Sequence, residues 1–366
     1  MTSGRVPIAD TPEALTPEWL SDALTHAGLL DGARVTGAEL RPLGTGQMCD
    51  SVRVALTYDR PVPDTAPATL VAKLPAADAT SRGTALSLRS YEKEVRFYQH
   101  LAPHLPIRTP AAYHADIDVT TAAFVLLLED MAPAAQGDQL AGCTPDEAAV
   151  ATRELVGLHA PRWGDPGLAE LDWLAADPEQ ARALVATLLP TLWDGFRQRY
   201  AADIPPHVHR AGDVLFTHLE AYMETPDVGT RTIVHGDYRL DNLLFDPTPG
   251  GTPLAVVDWQ TCAAGTGAYD VAYFVGAGLD EHDRRAVEQD LVRGYHDGLV
   301  AAGVDYAWDR CWHDYRRGTW AGLLMAVGAS MMVERTDRGD RMFLTMAARH
   351  ARHALDLDAP DLLTAG

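Results

Sequence analysis

The hydrophobic pattern of this chain changes period part-way along it, and that change limits what it can fold into. Val52, Val54, Leu56 and Tyr58 alternate with Ser51, Arg53 and Ala55, the period of two expected of a half-buried strand. Leu70 to Leu74 and Phe124 to Leu128 are further apolar, strand-like runs. Between the first two, Arg60 to Pro67 is proline-rich and reads as a surface loop. After Thr144 the recurrence lengthens to the three- and four-residue steps of helices, and only Thr232 to Val234, Leu243 to Phe245 and Leu254 to Val257 still look extended. An antiparallel sheet comes first and a helical body follows, which predicts an α+β architecture in two lobes.

Two helices interrupt the early strands. Thr16, Pro17 and Glu18 give a capping residue, a proline at the first helical position and an early acid, so a short leading helix starts there. Leu88, Tyr91, Val95, Tyr98 and Leu101 share one helical face before Pro103 and Pro106 end the pattern. Ala132 to Thr144 is rich in small and polar residues and reads as the linker, which predicts lobes of 1–131 and 132–366. Thr144, Pro145 and Glu147 then form a capping box opening the second lobe. Gly318 to Val333 is uncharged but too short for the roughly 20 apolar residues of a membrane span, so it is expected to be a buried helix.

Composition closes off several functions. A formal net charge of -21 over 366 residues leaves no basic stripe for a phosphate backbone, so no nucleic-acid partner is expected. That charge would favour a cationic substrate by steering, and it also serves simply to keep a protein dissolved. Cys49, Cys143, Cys262 and Cys311 are widely separated, with no spacing for zinc or a disulfide framework. Met1 to Asp10 has no apolar run and does not read as a secretory signal. A cytoplasmic location without membrane insertion is the expectation, and the oligomeric state is not legible.

The chemistry concentrates between Val234 and Gln260. His235, Gly236, Asp237, Tyr238, Arg239, Leu240, Asp241 and Asn242 lie between two strand-like runs, and Asp258 closes a third. A loop so placed presents polar side chains to a cleft, with Leu240 and Leu243 as its anchors. Phosphoryl transfer needs a group to orient the attacking hydroxyl and oxygen ligands for magnesium, and Asp237, Asn242 and Asp258 can supply both. Short aspartates capping turns at strand ends would give some of the same pattern. His-x-Asp with Asn five residues later, then Asp at the end of an apolar strand, resembles the catalytic core shared by protein kinases and aminoglycoside phosphotransferases. The wording His-Gly-Asp with Asp-Trp-Gln looks like the phosphotransferase branch. Arg239, Asp241 and Gln260 depart from the antibiotic kinases and look more like the choline-kinase-like and ecdysteroid-kinase-like branches.

That resemblance implies a bilobal protein-kinase-like fold, ATP or GTP as phosphoryl donor and Mg2+ as cofactor. It makes Asp237 the base, Asn242 and Asp258 the metal ligands, and Asp270 a support for the catalytic loop. In the first lobe Gly44 and Gly46 would let backbone N–H groups approach phosphates, although hairpin turns use glycine in the same way. Ser51 would add a hydroxyl donor. Lys73 stands in an apolar strand and Glu94 in an apolar helical stripe, so each charge needs a partner and they suit each other. Glu92 is the rival partner, and a surface ion pair is the plainer reading. By resemblance Lys73 contacts phosphate and Glu94 holds it. Glu129 and Met131, after an apolar strand, would offer backbone groups to a purine.

The substrate is less legible. Trp308, Trp312, Asp305, Asp309, Asp314 and Glu334 lie on late helices, where aromatic and acidic groups would suit an amine-bearing acceptor, and where an ordinary helix pattern would place them too. His159 reads as a packed histidine. The expected activity is transfer of a γ-phosphoryl group to a hydroxyl of a small molecule such as an aminoglycoside, an amino alcohol or another natural-product alcohol. The alternative is a nucleotide-binding pseudokinase or regulatory module without turnover.

Overall fold

The computed structural model describes residues 6–43, 48–174, 178–224, 231–246, 248 and 253–364. They divide into two compact units. One is Met1–His104, Thr109–Pro133 and Asp258–Gln260; the other is Leu105–Arg108, Ala134–Val257 and Thr261–Gly366. The division is therefore not one cut in the chain, because Asp258 to Gln260 count with the first unit.

In the first unit α1 (Pro17–His26) precedes β1 (Val35–Pro42), β2 (Cys49–Tyr58) and β3 (Thr69–Pro75). Then come α2 (Ala79–Ser87), α3 (Ser90–His100), β4 (Ala112–Asp118) and β5 (Ala123–Glu129). The strands form one antiparallel sheet in the order β1-β2-β3-β5-β4. Alternation in β2 does what its period requires: Val52 and Val54 are buried with Leu20, Leu24, Leu70, Ala72, Leu74, Val125 and Leu127. Thr16 caps α1 by accepting from the Trp19 N–H at 3.2 Å. Helix α3 buries the expected Tyr91, Val95 and Tyr98, with Glu94 fully inside the same stripe. Leu88 departs from the expectation. It is exposed and ends α2, a helix with one buried residue, Ala85, too weakly amphipathic to be read from sequence. Arg89, at a φ of 55°, separates the two helices.

The second unit holds β6 (Ala135–Gln136), α4 (Pro145–His159), α5 (Pro178–Arg199), α6 (Pro206–Thr217) and α7 (Leu219–Met223). It continues with β7 (Arg231–Val234), β8 (Leu243–Phe245), β9 (Leu254–Val256) and β10 (Ala263–Thr266). The chain ends in α8 (Ala268–Gly278), α9 (Glu281–Ala301), α10 (Trp308–Met332), α11 (Asp337–Asp356) and α12 (Asp361–Thr364). β7 pairs with β10, and β6, β8 and β9 form a second small sheet. Thr144 and Glu147 make the reciprocal capping box at α4. The uncharged Gly318 to Val333 run forms most of α10, whose Trp320, Leu323, Ala326 and Val327 are buried against α6 and α11 residues. Among the described residues no helix is long and apolar enough to cross a membrane.

Candidate active site

In the second unit the loop between β7 and β8 carries the His-Gly-Asp motif, and its backbone is fastened from several sides. Gly236 sits at a φ of +81°, and a Cβ there would lie 2.7 Å from the Thr261 carbonyl oxygen, so both backbone conformation and space demand glycine. The Asp270 carboxylate accepts from the N–H of His235 at 2.6 Å and of Gly236 at 3.0 Å. Asp270 thus supports the loop backbone, as the resemblance implies, while the position before α8 is Gly267, without a side-chain cap. His159 is fully buried, with Nδ1 2.8 Å from the Tyr295 hydroxyl and Nε2 3.3 Å from Asp270, the packed role read from sequence. His235 holds the strand end through Nε2 and the Val257 carbonyl at 3.0 Å. Leu240 and Leu243 are buried, as anchors should be.

This scaffold leaves Asp237 partly open, its side chain 17% exposed. The Tyr273 hydroxyl donates to Oδ1 at 2.6 Å. Arg239 Nε and Asn242 Nδ2 each donate to Oδ2 at 3.0 Å. Asn242 Nδ2 also reaches the Asp237 carbonyl at 2.8 Å, which turns the amide nitrogen towards Asp237 and the amide oxygen away from it. Arg239 continues to Asp241 at 2.7 Å, and Asp241 also accepts from Arg338 of α11 at 3.2 Å and from the Gln139 N–H at 3.0 Å. Burial would push the Asp241 carboxyl up, but Arg338 and Arg239 outweigh it and hold it below the usual range. Burial likewise opposes the Arg239 charge, and Asp237 and Asp241 more than restore it.

In the first unit Lys73 Nζ lies 2.6 Å from Glu94 Oε1 and 3.4 Å from Asp258 Oδ1. Glu94 is the partner, and Glu92 pairs with Arg89 at 2.8 Å. Burial alone would lower the Lys73 pKa, and the carboxylates of Asp258 and Glu94 raise it well above the usual lysine value, so the ammonium stays charged. Glu94 also accepts from the Trp259 N–H at 3.3 Å and from Gln260 Nε2 at 3.3 Å, while Trp259 stacks on Phe97 with ring centroids 3.7 Å apart. Asp258 itself has a φ of 67°, a conformation costly for a residue with a Cβ and common at functional sites. Ser51 pairs with Lys73 across the β2–β3 ladder, which puts both side chains on one face of the sheet. Gly44 and Gly46 lie outside the described residues. The Glu129 N–H and carboxylate are both spent on Ala111, at 2.8 and 3.0 Å, so that N–H cannot also serve a purine; Met131 follows Asp130, which grips Arg53 at 3.0 Å.

With this geometry in view, residues 63–311 match the phosphotransferase enzyme family. The chain belongs to that family. Its fold, covering 94% of this chain, is shared with a microcompartment-associated aminopropanol kinase at 17% identity and a TM-score of 0.53. A choline kinase of Cryptosporidium parvum covers 88% of it at 10% identity and a TM-score of 0.53. The α+β, protein-kinase-like fold expected of this phosphotransferase is thus shown. Short stretches also match two curated proteins. Acyl-CoA dehydrogenase family member 11 of Gallus gallus is 42% identical over 48 residues, and member 10 of Mus musculus 52% over 42 residues. These stretches span only 6% and 4% of those proteins.

Two features of the phosphotransferase bear on the sequence reading. The Trp308 face is already covered by the Arg293 guanidinium, 3.3 Å from the ring centroid, and Trp312 stacks beside it. Asp314 is spent on the Tyr306 hydroxyl at 2.8 Å and Arg310 Nε at 2.9 Å. For Trp308, Trp312 and Asp314 the ordinary helix pattern, one of the two readings left open, accounts for the contacts. Conversely, Tyr273, Arg338 and Gln139 reach the catalytic loop without having been read from sequence. For Tyr273 a signal existed: it follows Asp270 by three residues on one helix, which puts both side chains on the same face.

Proposed function

We propose that this chain is an ATP- or GTP-dependent small-molecule kinase that moves the γ-phosphoryl group to an acceptor hydroxyl, with Asp237 as the base. The observation that carries the reading is the Asp237 carboxylate itself. It is oriented by three donors, flanked by an amide turned to offer its oxygen, and mounted on a loop whose backbone Asp270 fixes. A positioned base of this kind contributes a rate factor of roughly 10² to 10⁴.

The donor set suits magnesium, which takes one or two carboxylates with waters and substrate phosphates and needs no all-protein cage. In this reading Asn242 and Asp258 would hold it, and bound Mg2+ would neutralise charge on the transferring phosphates. No cluster of three or more metal-ligating side chains occurs among the described residues, which is compatible with a site completed by phosphate oxygens. Lys73 is assigned to the donor's phosphates, with Glu94 keeping its ammonium in place. Ser51, beside Lys73 on the same sheet face, is assigned as a further phosphate donor, and Met131 to the nucleotide base. For the acceptor we propose a small hydroxyl compound, the class to which the named substrates of the aminopropanol and choline kinases belong.

The deciding experiment is acceptor-dependent release of ADP or GDP by the purified protein with Mg2+, across a panel of hydroxyl-bearing compounds. Asp237→Asn is expected to lower turnover by roughly 10² to 10⁴ while nucleotide affinity stays within about twofold. Nucleotide binding without turnover on the whole panel would instead make the protein a regulatory module.

A further inference from the structure

The two oxygens of Asp237 are not equivalent. A carboxylate offers about four in-plane acceptor positions, two on each oxygen. Oδ2 already accepts from Arg239 Nε and Asn242 Nδ2, each at 3.0 Å. Oδ1 accepts from the Tyr273 hydroxyl at 2.6 Å. Among the described residues one acceptor position is left on the carboxylate, and it is on Oδ1, beside the phenol.

We propose that Tyr273 is a positioning residue of the phosphoryl transfer, selecting Oδ1 as the oxygen that takes the acceptor's proton and fixing the direction from which that proton arrives. The inference rests on the reading of Asp237 as base. In the step it describes, the acceptor oxygen forms its bond to the γ-phosphorus as its proton passes to Asp237 Oδ1. The bond from the γ-phosphorus to the β–γ bridging oxygen breaks, and the nucleoside diphosphate leaves with that electron pair. Tyr273 moves no proton; it occupies the one other acceptor position on Oδ1, so a hydroxyl has a single way to dock.

The surroundings equip Tyr273 for this task. The residue is 3% exposed and its ring lies against His350, centroids 5.3 Å apart, so it has little freedom to turn away. Burial, reinforced by Asp237, pushes the phenol well above its usual pKa and keeps it a donor. The same first turns of α8 carry Asp270, which grips the loop backbone. One helix therefore fixes both the backbone that bears the base and the oxygen that the base uses.

The test is Tyr273→Phe, which keeps the ring and removes only the donor. Steady-state rates are measured with the acceptor on which the wild type is active, beside Tyr306→Phe, which removes a buried tyrosine hydroxyl from Asp314 elsewhere in the same unit. The expected result is a kcat roughly 10- to 100-fold lower for Tyr273→Phe, as for other single oriented donors. The nucleotide KM should stay within about twofold, and Tyr306→Phe should match the wild type. Tyr273→His, which restores a ring donor, guards against a packing defect: partial recovery of kcat over Phe supports the donor role. All rates are taken below the melting transition of each variant. A kcat within about twofold of wild type for Tyr273→Phe overturns the positioning role and leaves Asp237 as base untouched. A loss in kcat matched by an equal loss in Tyr306→Phe overturns it as well. A wild type inert on every acceptor overturns the proposed function, and this inference with it.

Discussion

His350 makes the stability of the helical unit depend on pH in a calculable way. It lies on α11, fully buried, with its ring against glycines of two other helices. A Cβ at Gly322 would come within 2.1 Å of His350 Cε1, and one at Gly276 within 2.7 Å of Nδ1. The glycines admit the ring, and among the described residues neither of its nitrogens has a hydrogen-bond partner. Burial, with His353 as the next cause, pushes its pKa down to about 3 from 6.5. The folded protein thus keeps His350 neutral where the unfolded chain protonates it, so between pH 6.5 and pH 3 the unfolded state binds more protons. Stability is present in full above pH 6.5 and is lost as the pH falls towards 3. One pKa unit is about 1.4 kcal/mol, so between pH 8 and pH 5 this one group removes about 2 kcal/mol. His350→Leu is similar in volume, cannot titrate, and removes two unmet polar atoms worth about 1 kcal/mol or more each. Urea unfolding followed by tryptophan fluorescence reports on this core directly, since Trp193 and Trp320 lie in it. Wild type is expected to lose about 2 kcal/mol more than His350→Leu between pH 8 and pH 5, and the variant to be no less stable at pH 8. The other histidines are common to both proteins and cancel in the difference. Parallel stability curves would refute the reasoning.

The buried pair in the sheet unit predicts a non-additive cycle: Glu94→Gln leaves the Lys73 charge with only Asp258 at 3.4 Å and should cost about 3 kcal/mol. Adding Lys73→Met should recover at least half of that in urea titration, although neither protein should turn over nucleotide. Gly236→Ala meets both an unfavourable φ and the Thr261 carbonyl, and should lose about 2 kcal/mol in a melt. Because the displaced loop carries Asp237, kcat should fall with it while nucleotide KM does not.

Sequence revealed those parts of the fold in which burial is one-sided. The β2 alternation and the α3 stripe each place one face in the core, so their apolar residues recur at the period of the element. β10, the run Ala263 to Thr266, has small residues and no alternation, and β6 is two exposed residues, so neither carries a signal despite its pairing. Lys73 and Glu94 were readable because a buried charge needs an opposite one. Tyr273 offered only its spacing from Asp270, a faint signal, because an aromatic in an apolar helix looks like core and its hydroxyl partner is 36 residues away in sequence. Arg338 is harder still: it lies 97 residues from Asp241, and nothing local distinguishes it from a solvated arginine on the first turn of a helix. Trp308 stayed ambiguous for a related reason, since the Arg293 that covers it comes from another helix.

The motif loop and the helix α8 that fastens it offer three aspartates to the chemistry in this unit, and their environments separate them. Asp270 is 2% exposed and takes two backbone N–H groups and a histidine, which is the condition of a structural anchor. Asp241 is 7% exposed and accepts from two arginines and a backbone N–H, so its lone pairs are committed and its charge is matched. Asp237 accepts three hydrogen bonds over both oxygens, as Asp270 does, but it is the most exposed of the three, its side chain 17% accessible against 4% for Asp270 and 9% for Asp241. A base must be fixed and still reachable by its substrate, and the combination of oriented oxygens and partial exposure at Asp237 is what the proposed role requires. The proposed role of Asp237 therefore leans on its exposure as well as on its place in the motif: Asp270 and Asp241, met at the same position, would be too deeply buried to meet an acceptor.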